Sequence, residues 1–237
     1  MTGHVVAMGG GGFSMEDSPL LDDYVLSLAR RANPRVCFVP TASGDAAGYV
    51  TRFYRALSGR CVASDLTLNE TPGLPRRPRD TSDLAAFVAE QDVFYVGGGN
   101  TAHLLALWRV HGLDVLLRGA WRGGAVLAGV SAGMICWFES SVTDSFGALD
   151  ALNDGLGVLS GSACPHYDGN RRRRPTYHRL VKAGMAAGYA ADDSAALHFE
   201  GTTLVGAVSS TPGAACYRVS ATDGVVTEER LDTRYLG

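Results

Sequence analysis

The sequence predicts an α/β fold, a doubly wound and mostly parallel sheet flanked by helices. Three observations predict it. Short apolar runs rich in β-branched residues alternate with longer amphipathic stretches, the pattern of buried parallel strands and their crossover helices. Each of those runs ends in Gly, Ser or Thr, the residue types found where strands hand over to site-forming loops. The last part of the chain changes to short alternating strands with EG and DG turns, which predicts a C-terminal β-hairpin region closing the sheet edge.

The strand candidates are HVVAMGG (4–10), RVCFVPTAS (35–43), DVFYVGGG (92–99) and AVLAGVS (125–131). Helical patterns lie at about 17–31, 46–58, 81–90 and 101–121, the third opening on a capping Thr81 or Ser82. The proline-rich stretch 71–82 reads as a surface loop, too short to be a domain linker. The expectation is one domain over residues 1–237. Open α/β sheets form their sites at the carboxyl ends of the parallel strands. Four glycine- or hydroxyl-rich loops should therefore converge on one rim: 9–12, 41–44, 97–100 and 129–133.

Bulk properties exclude several classes. The chain has 237 residues, 46% hydrophobic and 19% charged, with a net charge of -3. That balance suits a large soluble core and gives no general attraction to nucleic acid or an anionic membrane. The five cysteines are odd in number and irregular in spacing, with no CxxC pair, so neither a disulfide framework nor a structural zinc is expected. The amino-terminal residues do not read as a signal peptide, and no apolar run reaches the roughly 18 residues of a membrane span. The expected location is the cytoplasm.

GVSAGM (129–134) carries the sharpest chemical signal. A G-x-S-x-G turn between strand and helix is a nucleophile elbow. Side chains flanking the serine would clash, so Gly129 and Gly133 are required. The turn presents the Ser131 hydroxyl above the sheet, with the Ala132 N–H facing a developing oxyanion. Serine needs a base. Two histidines are candidates: His166 in the loop ACPHYDGN, and His198 in LHFEG, where Glu200 shares its strand face. The YVGGGNT turn (95–101) offers backbone N–H groups to an oxyanion or phosphate but is not a dinucleotide fingerprint. DGNRRRRPTYHRL holds five arginines in thirteen residues, a solvated face, a carboxylate-binding cluster, or a nucleic-acid patch, the last argued against by the missing aromatic platform and the net acidic chain.

Taken in order, YVGGGNT, GVSAGMICWF, CPHYD, the arginine cluster and HFEGTTLVG resemble the serine peptidase family of aspartyl dipeptidase (peptidase E) and cyanophycinase, over roughly residues 1–210. The resemblance implies a class I glutamine-amidotransferase-like fold with serine as nucleophile. It implies Ser131 as nucleophile and His166 as base, with Glu200 as the orienting acid and Asp144 as its competitor. It also implies an oxyanion hole at Gly98, Gly99 and Ala132, Asn100 on the substrate, and Arg173, within 171–174, on the substrate's aspartate. The implied activity is hydrolysis of small peptides with N-terminal aspartate, without metal or cofactor. Alternatives are a cyanophycinase-like or other aspartyl-peptide hydrolase, an α/β-hydrolase esterase, and a non-catalytic binding domain on the same fold. The expected partner is a small peptide, not nucleic acid or membrane, and a homodimer is left open.

Overall fold

A computed structural model describes residues 2–15, 18–69 and 81–237, without the side chains of Thr81 and Ser82. The proline-rich stretch and the cap expected at Thr81 or Ser82 lie outside that description. Along the chain run β1 (His4–Met8), α1 (Leu20–Ser27), β2 (Arg35–Val39), α2 (Ala47–Leu57), β3 (Val62–Asp65), α3 (Thr81–Ala89) and β4 (Val93–Val96). Then come α4 (Thr101–His111), α5 (Leu113–Arg122), β5 (Val126–Val130), the single turn α6 (Ala132–Ile135), β6 (Phe138–Thr143), β7 (Asp150–Leu152) and β8 (Leu159–Cys164). The rest is α7 (Arg173–Lys182), β9 (Gly188–Ala191), β10 (Ala195–Glu200), β11 (Thr203–Ser209), β12 (Cys216–Thr222), β13 (Val225–Arg230) and β14 (Thr233–Tyr235).

All four predicted strands pair in parallel in an eight-stranded sheet of order β14-β11-β10-β1-β5-β4-β2-β3. The predicted hairpin region forms two hairpins: β10–β11, at the EG turn, extends the sheet beyond β1 with β10 antiparallel to it, whereas β12–β13, at the DG turn, joins a second sheet instead of closing this one. The stretch expected as one helix over 101–121 is two. Gly112 takes a left-handed φ of 67° between α4 and α5, a conformation that costs glycine little. A second, six-stranded sheet of order β13-β12-β9-β8-β6-β7 was not anticipated from the sequence.

Side-chain alternation explains the layering. From β1, Val6 and Met8 face a core shared with Leu21 and Val25 of α1 and with Tyr49, Phe53 and Leu57 of α2. Val5 and Ala7 face the other way, into a core with Trp108 of α4 and Leu117 of α5. Trp137, Phe138 and Leu159 of the second sheet region belong to that same core, so the two sheets share it. A third cluster packs Tyr177, Leu180 and Val181 of α7 on Val142, Cys164, Ala190 and Val219. Cys37, Cys136, Cys164 and Cys216 are buried free thiols, and burial pushes each thiol pKa up. Among the described residues no helix is long and apolar enough to cross a membrane.

Candidate active site

The register places the site. Met8 lies opposite Val130, and Gly129 opposite Val96, which in turn pairs with Val39. The loops leaving β1, β5, β4 and β2 therefore emerge on one rim, as the sequence predicts. They also touch: a Cβ on Gly99 (φ 140°) would overlap the Ala42 carbonyl, and the Asn100 N–H donates to that carbonyl at 2.8 Å.

Ser131 follows β5 with φ 56° and ψ −108°, a left-handed backbone held at a non-glycine residue. Such conformations cost on the order of 1–3 kcal/mol and persist only where their surroundings enforce them. The enforcement is visible. The Ser131 N–H donates to Met8 O at 3.0 Å, and its carbonyl accepts from Met134 and Ile135. A Cβ on Gly129 would strike the Gly133 backbone, and one on Gly133 would strike the Val96 carbonyl. Both glycines of the elbow are thus required by close approach.

His166 lies just beyond β8, also with positive φ (50°). Its Nδ1 stands 2.5 Å from Asp193 Oδ1. That contact fixes Nδ1 as the protonated nitrogen and leaves Nε2 as the basic one. Asp193 is itself held: its N–H donates to Asp168 Oδ1 at 2.8 Å, and its carboxylate lies so close to Gly10 and Gly169 that a Cβ on either would overlap it. A Cβ on Gly10 would also come within 3.2 Å of His166 Nδ1, and one on Gly98 within 3.3 Å of Ser131 Cβ. Gly10 leaves β1, and β1 neighbours the β5 that carries Ser131, so elbow and histidine–aspartate pair share this rim.

The acid expected from the sequence is elsewhere. Glu200 pairs with His4, at the amino end of β1 and hence at the opposite end of the sheet from Ser131. The reason is direction: β10 runs antiparallel, so its first residues, not its last, reach the rim. His198 belongs to that far end, bonded to His4 Nδ1 at 3.0 Å and to the Tyr24 hydroxyl at 2.8 Å. Burial, then the neighbouring His4, lowers its pKa to about 4. Asp144 faces Arg173 at 3.6 Å instead of His166. Asp193 was not among the sequence candidates, although ADDS (191–194), two acids directly before an apolar strand, stands in plain view.

The other expected residues divide. Gly98 lies against Ser131 and Ala132 follows it, while Gly99 packs on Ala42; the Gly98 N–H donates to the Tyr49 hydroxyl at 3.2 Å. Asn100 caps α4 through Oδ1, accepting from His103 N at 2.8 Å, while its Nδ2 donates to the Ser145 carbonyl at 2.9 Å. Both ends of its amide serve the fold. Arg173 is buried, donating to the Val142 carbonyl at 3.2 Å beside Asp144, so it does not lie open to a substrate. Arg171 and Arg172, in the turn before α7, are exposed.

The model of peptidase family S51 matches residues 5–206. The chain is 52% identical over 236 residues to the uncharacterized peptidase YgaJ of Bacillus subtilis (strain 168), covering 98% of this chain and 99% of that protein. Among solved structures, a peptidase from an acI-B1 actinobacterium superposes with a TM-score of 0.71 at 18% identity, covering 98% of this chain and 95% of that one. A candidate peptidase E protein from Listeria monocytogenes EGD-e gives 0.63 at 20% identity, over 86% and 98%. The two solved structures share the fold.

Proposed function

The chain belongs to peptidase family S51 and is a serine-type peptidase, and on that premise we propose that it hydrolyses small peptides with N-terminal aspartate through Ser131, His166 and Asp193. The observation that carries the reading is the 2.5 Å contact between His166 Nδ1 and Asp193 Oδ1, on the rim where the strained Ser131 turn emerges. His166 Nε2 takes the Ser131 proton as Oγ attacks the peptide carbonyl. Backbone N–H groups of the 97–99 turn and Ala132 hold the oxyanion. The Gly98 N–H exchanges its long bond to Tyr49 for this stronger acceptor. His166 then protonates the leaving amine, and water, deprotonated by His166, releases the acyl group and restores Ser131. Asp193 keeps the imidazole in the required tautomer throughout.

Selectivity for aspartate rests on the arginine cluster that follows His166. With Arg173 buried on Asp144 and Arg174 engaged with Glu228, the exposed Arg171 and Arg172 are the guanidinium groups able to meet a substrate carboxylate. The test is hydrolysis of the p-nitroanilides of Asp, Leu and Lys by the wild type and Ser131→Ala. Cleavage of the Asp compound alone, abolished in Ser131→Ala, is the expected result. Equal cleavage of all three removes the aspartate selectivity, and activity surviving in Ser131→Ala removes the nucleophile.

A further inference from the structure

Behind the His166–Asp193 pair lies a cluster of side chains that the mechanism does not use. Tyr167 directly follows His166, and Asp192 directly precedes Asp193. Each is anchored. The Tyr167 N–H donates to Ala191 O at 3.0 Å, and its hydroxyl donates to Glu228 Oε2 at 2.5 Å. Asp192 Oδ2 accepts from Ala215 N at 3.0 Å and from the Tyr217 hydroxyl at 3.2 Å. The Tyr167 and Tyr217 rings meet at 5.2 Å between centroids, and the Arg174 guanidinium lies over both, at 4.6 and 4.9 Å. Glu228 closes the arrangement. It faces Arg174 at 3.6 Å and the imidazole of His178 at 2.8 Å. Tyr217 and Glu228 lie on β12 and β13, beyond residue 206 where the family match ends.

We propose that Glu228 is a positioning residue for the catalytic pair, acting through Tyr167 and the Arg174 contact that joins Tyr167 to Tyr217. The inference rests on the His166–Asp193 reading given above. A left-handed backbone at His166 is readily abandoned unless its neighbours hold it. The residue after it is Tyr167, whose ring is buried and whose hydroxyl meets both Glu228 and His178 Nε2, the latter at 3.0 Å. Arg174 ties that ring to Tyr217, and Tyr217 ends on Asp192. The base and its acid arrive from separate loops, and this cluster links the loops behind them. It also gives one arginine of the 171–174 run a task other than meeting substrate.

The test compares Tyr167→Phe, Glu228→Gln and the double variant. Each is read by the rate at which a fluorophosphonate labels Ser131 and by kcat and KM on the Asp p-nitroanilide, with near-ultraviolet circular dichroism as the folding control. Tyr167→Phe keeps the ring and its packing, so it decides the matter if Glu228→Gln folds poorly. Displacing a reacting group by about 1 Å from a distance costs up to roughly 10²-fold. Each single variant should therefore label ten- to a hundredfold more slowly, with kcat falling and KM held. The double variant should be no slower than the worse single one, because Tyr167→Phe deletes the donor of the bond whose charged acceptor Glu228→Gln replaces with a weaker amide oxygen. Single variants that fold and label within threefold of the wild type overturn the proposal, as do effects that multiply. If the wild type is not labelled, it is the catalytic reading that fails instead.

Discussion

Replacing Asp193 by asparagine removes one charge and little volume from the atom that touches His166. Its Oδ1 stands 2.5 Å from Nδ1, and the two side chains are 24% and 29% exposed. As the imidazole becomes an imidazolium, the charge centres come to lie roughly 4 Å apart. At an effective dielectric constant of about 20 that attraction is worth about 4 kcal/mol. Partial exposure reduces it to about 3 kcal/mol, which is about a hundredfold in rate. The asparagine amide also lets the ring adopt the wrong tautomer, a fault that in a comparable triad takes the loss to about 10⁴. Asp193→Asn should therefore lower kcat on the Asp p-nitroanilide by 10²- to 10⁴-fold with the fold intact. Glu200→Gln, at the far end of β10, should stay within threefold of the wild type. If Asp193→Asn keeps activity within tenfold, or if Glu200→Gln loses a hundredfold, the geometric reasoning is wrong.

Three further outcomes are expected. Gly10→Ala places a methyl group against Asp193 Oδ1, the end of a flexible side chain. Activity should drop roughly tenfold or more, while thermal unfolding shows the midpoint scarcely moved. Gly133→Ala drives a methyl group into the Val96 backbone carbonyl, which cannot swing away. Urea unfolding should show a loss of about 2 kcal/mol or more. His198, 8% exposed, has its pKa lowered to about 4 in the folded protein from 6.5. The unfolded chain then binds the extra proton first, so stability falls as pH drops from about 6.5 to 4, by up to roughly 3 kcal/mol. Unfolding free energies measured across that window, with His198→Gln as the comparison, check the slope. A wild-type slope no steeper than that of the variant removes His198 as its cause.

The sequence was most legible where one physical requirement decides the residue. Buried parallel strands need continuous apolar runs, and β1, β2, β4 and β5 have them. The elbow needs glycines at 129 and 133 because backbone occupies the space where side chains would lie. The second sheet was less legible because LSGSAC in β8 and GYAA in β9 are mostly small residues without the β-branched runs of β1, β2, β4 and β5. Glu200 lies away from the Ser131 rim for a different reason. Reading the carboxyl end of a strand as its functional end holds for parallel strands, and β10 runs the other way. Asn100 illustrates a third difficulty. A polar residue in a glycine-rich turn looks like a substrate contact, yet its amide also caps α4 and holds Ser145, a fold role that the motif alone does not reveal.

Ser131 is carried by the eight-stranded sheet and His166 by the six-stranded one, while Asp193 sits in the passage from β9 to β10 that crosses between them. On the proposed Ser131–His166–Asp193 reading, no single sheet owns the machinery. The reacting atoms are in register only while the two sheets keep their alignment across the shared core. A slide of one sheet against the other leaves every backbone ladder intact and still moves the base from the nucleophile. On warming or in dilute urea, turnover should fade ahead of the far-ultraviolet signal, making catalysis the earliest report of slippage between the layers.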